Sequence, residues 1–321
     1  MPKDSLQLRD DLLACLPSLV IEKPMAESGQ RVVYLAHFED LQIPADVLSS
    51  NGEDPDEKPF LHGWEAWGHV VVKVVSGADS DTLARLQAET AILQEVRPAN
   101  FPQLRYCNLF TENPVTDERL QERLYVSVEE FIESKPLNEL AKNYKGKETQ
   151  IAGLALGIAN ALLPLWTHHR KFVHRDIKPA NLLIRRSGDV VVIDLGIVRE
   201  TGAPGVTQTG WGQAPFSAGY AAPEHVANQK EAVSYKSDFF SIGVVMYQLL
   251  SGVEPFLPRP NMAIHEIMIA AASHHPPRLV DVCGASQQFS DFVAKAMMKE
   301  PWQRHRTPAL FMQELQELLK N

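Results

Sequence analysis

Cysteine is scarce in this 321-residue chain: there are three, Cys15, Cys107 and Cys283. They are far apart and fit no zinc-ligand or redox spacing, which leaves reduced structural thiols and a cytoplasmic setting as the expectation. Positive charge is also in short supply. Lys plus Arg is 31 against 40 for Asp plus Glu, a net charge of −9. That balance offers no electrostatic footprint for a nucleic-acid or anionic-membrane partner. A long apolar run is missing too. The most membrane-like stretch, IAGLALGIANALLPLW at 151–166, is shorter than the ~20 residues a span requires and contains Pro164, so it reads as a buried helix. The N-terminus MPKDSLQLRDDLLACLPSLV has charges scattered through it and is not a signal peptide. With 45% hydrophobic residues the chain has an ordinary globular composition, and its length suits two or three average domains or one large two-lobed domain.

What is present changes character along the chain. LVIEKPM and RVVYLAHF, joined by AESGQ, read as two strands within 19–38. The segment EDLQIPADVLSSNGEDPDEKPFLHG has three prolines, many acids and no apolar period, and reads as a long exposed loop. WGHVVVKVV is a β-branched strand. DSDTLARLQAETAILQEV places Leu83, Leu86 and Leu93 at helical spacing, with Asp81 as the expected N-cap. RLYVSVEEFIESKPL reads as another strand running into a connector. Beyond Pro136 the pattern is mainly helical, with helices expected at 137–144, 148–168, 235–251, 262–272, 287–299 and 307–319.

Lys73 lies in the middle of VVVKVV and shares a strand face with Val71 and Val75. A buried ammonium needs an anionic partner or ligand. Glu89, three residues after Leu86 and four before Leu93, falls on the inward stripe of the following helix and is a candidate for that partner. The string HRDIKPAN at 174–181 is followed by DVVVIDLG, which ends a strand at Asp194. An Asp near a substrate hydroxyl can take its proton, a nearby Lys can offset phosphoryl charge, and an Asn with a second Asp offers magnesium the oxygen ligands it prefers. His168 and His169, like His274 and His275, are adjacent residues expected to point in different directions, which argues against a shared metal.

These strings resemble the eukaryotic-like protein kinases, including the bacterial Ser/Thr kinases. HRDIKPAN matches the catalytic loop. DLG at 194–196 is similar to the magnesium-binding DFG, with Leu195 in place of Phe. GYAAPE at 219–224 is similar to the end of the activation segment, YKSDFFSIGVVMYQLLSG to the central helix of the large lobe, and PWQRHRT to the late motif whose Arg pairs with the APE Glu. The resemblance covers about 19–319.

It implies an α+β, bilobal fold: a small antiparallel β-sheet lobe with one helix, and a larger, mainly helical lobe. The domains would be an N-terminal extension at 1–18, the small lobe at 19–135 with an insertion at 40–66, and the large lobe at 136–321. It further implies ATP and magnesium (or manganese) as cofactors, protein substrates with Ser or Thr acceptors, and room for a regulatory protein partner. By that resemblance Asp176 is the catalytic base and Lys178 steadies the transferred phosphate. Asn181 and Asp194 hold the metal. Lys73 contacts the nucleotide phosphates and pairs with Glu89, while Glu130, Phe131 and Ile132 form the hinge that holds the adenine. Lys178, two residues after the Asp, is the Ser/Thr pattern, and Ser217 stands where the family has a substrate-loop Thr. Asp238 anchors the catalytic loop, and Arg306 pairs with Glu224. Arg175 is placed to receive a phosphorylated activation-segment residue, with Thr207, Thr209 and Ser217 as the candidates for autophosphorylation.

The chain departs from the family at the glycine-rich loop. Ala26, Ser28 and Arg31 stand at the glycine positions, and Gly29 remains one place off. That departure keeps a scaffold-type pseudokinase open as a second reading; a small-molecule kinase of related fold is a third. The 40–66 insertion is a second departure. Trp64 and Trp67 near its end could dock a partner, cover the small lobe, or simply be core residues at a strand start.

Overall fold

The computed structural model describes residues 5–28, 31–40, 63–195, 199–200, 217–229, 231–257, 259 and 261–320. The chain divides into two compact units, one of residues 1–94 and 102–131, the other of 95–101 and 132–321.

The first unit opens with helix α1 (Ser5–Cys15), followed by strands β1 (Leu19–Ser28), β2 (Arg31–Phe38) and β3 (Val70–Ser76). Helix α2 (Ser80–Val96) and strands β4 (Leu104–Glu112) and β5 (Arg119–Glu130) come next. The strands form one antiparallel sheet in the order β1-β2-β3-β5-β4. Pro24 is tolerated because β1 is an edge strand, where a missing N–H costs no ladder bond. Alternation along β3 and β5 sends Val70, Val72, Val74, Leu124, Val126 and Val128 into one core layer.

Helix α1 closes that layer with Leu8 and Leu12, one helical turn apart, and Leu16 just past its end joins them. Residues 5–15, expected as a separate extension, are therefore part of the small unit's core. Trp64 belongs to the same core, 8% exposed, stacked on Trp67 at 4.6 Å and edge-on to Phe38 at 5.0 Å. Trp64 thus takes the core reading, while Trp67 is partly buried and packs against that core. Residues 41–62 of the insertion lie outside the described residues, and Glu65–Trp67 form a short 3₁₀ turn.

One local expectation needs correction, and one strand was not expected. Helix α2 starts at Ser80, and its cap is Asp79, whose Oδ1 accepts the Thr82 N–H at 2.7 Å; Asp81 lies inside the first turn. That hydrogen bond holds the Asp79 carboxyl below the usual range. Strand β4 was not foreseen, because an edge strand with Phe110 as its one buried residue shows little hydrophobic alternation.

The second unit carries β6 (Ser134–Pro136), α3 (Leu137–Leu140), α4 (Glu148–Thr167), β7 (Phe172–Val173), β8 (Leu182–Arg185) and β9 (Val190–Val192). After these come β10 (Arg199–Glu200), α5 (Pro223–Val226), α6 (Tyr235–Ser251), α7 (Ile264–Ser273), α8 (Leu279–Cys283), α9 (Gln287–Ala296) and α10 (Pro308–Leu318). The expected helices form close to their expected limits; 137–144 splits into α3 and a 3₁₀ turn at Ala141–Tyr144. At 20 residues, α4 is long and apolar enough to cross a bilayer by length and composition, contrary to the shorter run expected. Ten of its residues are nonetheless buried within the unit, where it packs against α10, α6 and β9.

Helix α6 is well delimited. Ser234 and Ser237 form a capping box at its start, and Gly252 ends it with a φ of 77° that favours glycine. Gly243, near its middle, lets α9 approach closely: a Cβ there would meet Ala296 Cβ and Met297 Cγ at 2.9 Å.

Candidate active site

In the first unit, Lys73 projects from the face of β3 opposite the valine core. Its ammonium lies 2.6 Å from Glu129 Oε1 and 3.6 Å from Glu89 Oε1. All three side chains are largely buried, at 13, 5 and 5% exposure, so the charges sit in a medium where an unpaired one would be costly. Glu89 is inward on α2, as its spacing requires. Beside it Thr90 Oγ1 and Tyr125 Oη share a hydrogen bond of 2.7 Å, and burial pushes the Tyr125 phenol up to about 12. Glu129 was missed by the sequence reading. The available signal was strand alternation: along β5, Tyr125, Ser127 and Glu129 share one face, and a buried acid on that face must find a cation.

At the glycine-loop positions, Ala26 pairs with Val33 and Ser28 with Arg31, as the last rungs of the β1–β2 hairpin. Gly29 lies outside the described residues. Glu130 ends β5, where its N–H donates to Gln103 O at 2.8 Å and its Oε2 accepts the Gln103 N–H. Phe131 sets its ring edge against His69, 6.0 Å away. Ile132 is buried, and its carbonyl accepts from Ser134 Oγ at 2.9 Å.

The second unit assembles the HRDIKPAN residues around one carboxylate. Asp176 Oδ2 accepts Asn181 Nδ2 at 2.9 Å and lies 2.9 Å from Lys178 Nζ, while Oδ1 accepts the Ser217 N–H at 3.2 Å. Lys178 also donates to Ser217 Oγ at 2.8 Å. Ser217 thus touches both the Asp and the Lys, through backbone and side chain together. Asn181 spends its amide nitrogen on Asp176, through Oδ2 and the main-chain carbonyl. Its amide oxygen remains as the acceptor end of the group.

The β8–β9 hairpin explains why Asn181 and Asp194 come together. Leu182 pairs with Val192, so the residues just outside the ladder, Asn181 and Ile193–Asp194, emerge at the same end. The Ile193 N–H donating to Asn181 O at 2.9 Å fixes that juncture. An amide oxygen and a carboxylate are the hard oxygen donors that magnesium takes, so the residues fit that ion.

Asp238, fully buried near the start of α6, organises the loop from below. It accepts Trp166 Nε1 at 2.8 Å, the His174 N–H at 3.0 Å and the Arg175 N–H at 2.9 Å. Burial pushes its carboxyl up, against the opposing pull of His174 and of these three donors. Burial likewise lowers the pKa of His174 despite the surrounding Asp238, Asp176 and Asp194. Arg175 and Asp194 both have left-handed backbones, φ 73° and 67°. Such conformations cost on the order of 1–3 kcal/mol for a non-glycine residue and persist where surrounding bonds over-determine them. For Arg175 the Asp238 bond is one such constraint.

One expected pair is overturned. Glu224 binds Arg304: Nη1 lies 2.7 Å from Oε1 and Nη2 2.8 Å from Oε2. Arg306 is exposed. The short 3₁₀ turn Pro301–Gln303 aims residue 304 inward, where it also donates to the carbonyls of Met298, Lys236 and Lys299. Thr207 and Thr209 lie outside the described residues.

The expected divergence of adjacent histidine rings fails at one pair. Helix α4 ends at Thr167, and His168 turns to φ −55°, ψ 146°, which brings the two rings to 4.2 Å. His168 and His169 converge with Glu95, one ligand atom from each lying within 4.8 Å of the others. Arg170 shares Glu95, at 3.2 Å, so this is an exposed ion-pair cluster already holding a cation.

Comparison with known proteins agrees with this geometry. Residues 65–316 match the protein kinase domain. A probable serine/threonine-protein kinase of Clostridium perfringens is 28% identical over 209 residues, covering 64% of this chain and 29% of that protein. The probable serine/threonine-protein kinase PknB of Bifidobacterium longum is 31% identical, over 60% of this chain and 27% of its own length. The serine/threonine-protein kinase PknJ of Mycobacterium bovis is 36% identical, over 46% and 25%. The matched region thus spans less than a third of each of these relatives. With the domain match running through the Lys73, Asp176, Asn181 and Asp194 positions, the chain belongs to the protein kinase family.

Proposed function

We propose that this chain is a protein serine/threonine kinase that uses ATP and magnesium. The observation that carries the reading is the Asp176 carboxylate, held by Asn181 and Ser217 with the Lys178 ammonium beside it. In the proposed reaction a substrate hydroxyl oxygen bonds to the γ-phosphorus. Its proton passes to Asp176, and the bond to the bridging oxygen breaks to release ADP. Lys178 offsets charge on the moving phosphoryl group, and Lys73 supplies a cation for the remaining phosphates. Asn181 and Asp194 would hold magnesium, whose contribution is to neutralise phosphate charge.

Arg175 supports a regulatory extension of the same reading, in which autophosphorylation within 194–224 supplies the phosphate that its guanidinium receives. Phosphopeptide mapping of active protein tests this, and finding no modified residue in that segment would remove it.

The primary test is transfer from labelled ATP to the protein itself and to a generic basic protein. Asp176→Asn should lower transfer by about 10²–10⁴-fold, the usual contribution of a general base. ATP binding without transfer in the wild type would favour the scaffold reading, for which the altered 26–31 loop is the specific support.

A further inference from the structure

The kinase reading gives Lys73 a single carboxylate partner, Glu89, but the structure gives it two. Glu129 is the nearer, at 2.6 Å against 3.6 Å. The contact follows from sheet register. Lys73 stands opposite Ser127, and Glu129 opposite Val71, so lysine and glutamate are diagonal neighbours on one sheet face. A diagonal separation of about 7–8 Å at the backbone is within reach of two long side chains. Helix α2 covers that face and brings Glu89 to the same ammonium.

Both carboxylates are 5% exposed, so neither is a surface acid that happens to be near. An ammonium has three N–H donors and can serve both at once. We infer that Glu129 is a positioning residue for phosphoryl transfer, sharing with Glu89 the task of holding the Lys73 ammonium toward ATP phosphates. The inference rests on the proposed kinase reading for the identity of the ligand, but its signature is one of binding. Two redundant anchors make single losses mild and the double loss severe.

The test is a double-mutant cycle with Glu89→Gln, Glu129→Gln and both, in which Kd for Mg-ATP is measured by calorimetry beside kcat and KM for ATP. Each single variant should weaken ATP binding by no more than about threefold, and the pair by thirtyfold or more, a coupling of at least about threefold beyond simple multiplication of the two. Glu129→Asp, which keeps the charge, should restore the Glu129→Gln loss in part, and KM should move more than kcat. Thermal melts identify any variant that fails to fold. For Glu129 the Asp variant then takes its place, tested for a smaller coupling of the same sign.

Three outcomes would overturn the inference. A Glu89→Gln loss as large as that of the double variant would make Glu89 the sole anchor. Tighter ATP binding by Glu129→Gln would make Glu129 a competitor of the phosphates. Simple multiplication of the two single effects would mean no shared task. Because Kd is read without turnover, a wild-type protein that binds ATP but transfers nothing would sink the kinase reading while leaving the cycle interpretable.

Discussion

Arg304 and Glu224 form a two-pronged ion pair in which neither side chain meets solvent, at 0 and 1% exposure. The pair fastens the helical turn α5, which ends the activation segment, to the segment before α10, and Ser237 Oγ adds a third bond to Glu224 at 2.6 Å. Breaking a buried pair leaves its partner charged and unsatisfied. Arg304→Ala should therefore lower unfolding free energy by about 3–5 kcal/mol, measured by urea denaturation. Arg306→Ala, at an exposed position, should stay within about 0.5 kcal/mol of wild type. The reverse ranking would restore the pairing expected from the sequence.

That pair also marks where sequence reading stops. PWQRHRT contains two arginines two places apart, and nothing in composition or period says which one turns inward. Only the 3₁₀ turn at Pro301–Gln303 decides it. The grouping of Asp176, Lys178 and Asn181 was legible because they stand in one short string, and the place of Asp194 because it follows a strand closely. The large-unit helices were legible because amphipathic period and apolar runs survive in isolation. Glu129 was hidden because its partner depends on β3–β5 register, a long-range fact. The convergence of His168 and His169 was hidden because adjacent residues on a helix diverge, whereas α4 ends at Thr167 and leaves both beyond it.

At Gly243 the end of α9 approaches α6 closely. A methyl group there would press on Ala296 and Met297 at 2.9 Å, and Ala296 belongs to α9, with no long flexible end to swing aside. Alanine is otherwise the better helix former, by ~1 kcal/mol. Overpacking should outweigh that gain: Gly243→Ala is expected to destabilise by about 1–3 kcal/mol, read as a lower Tm. An unchanged or higher Tm would show that the two helices can separate freely.

The Ser217 hydroxyl tests the catalytic cluster through Lys178 and not through the Asp176 carboxylate. Ser217→Ala removes the hydroxyl that accepts from Lys178 but keeps the backbone N–H on Asp176. Loss of one positioning hydrogen bond should lower kcat about tenfold with KM for ATP little changed, equivalent to ~1.4 kcal/mol. Ser217→Thr keeps the hydroxyl and should retain most of the activity. If alanine and threonine variants behaved alike, the Lys178 contact would be irrelevant to turnover.

His305 offers a test by pH. It is buried among Phe292 at 4.5 Å and Phe311 at 4.9 Å, with Glu314 3.2 Å from its Nδ1 and Lys295 bound to that same Glu314. Burial lowers its pKa below 6.5, outweighing the pull of Glu314, while Lys295 adds to the lowering. Above about pH 6.5 both folded and unfolded chains hold this imidazole neutral, and it makes no contribution to the pH dependence. Below that pH the unfolded chain takes a proton that the folded one refuses. Stability then falls with acidification by up to ~1.4 kcal/mol per pH unit, until the folded group titrates too. His305→Phe, an aromatic replacement among phenylalanines, should remove this slope and leave that of His174. Urea unfolding at pH 7.5 and 5.5 should show the variant losing less stability than wild type over the interval, by up to ~1.4 kcal/mol. Equal losses in the two proteins would mean that His305 binds its proton as readily in the folded chain as in the unfolded one.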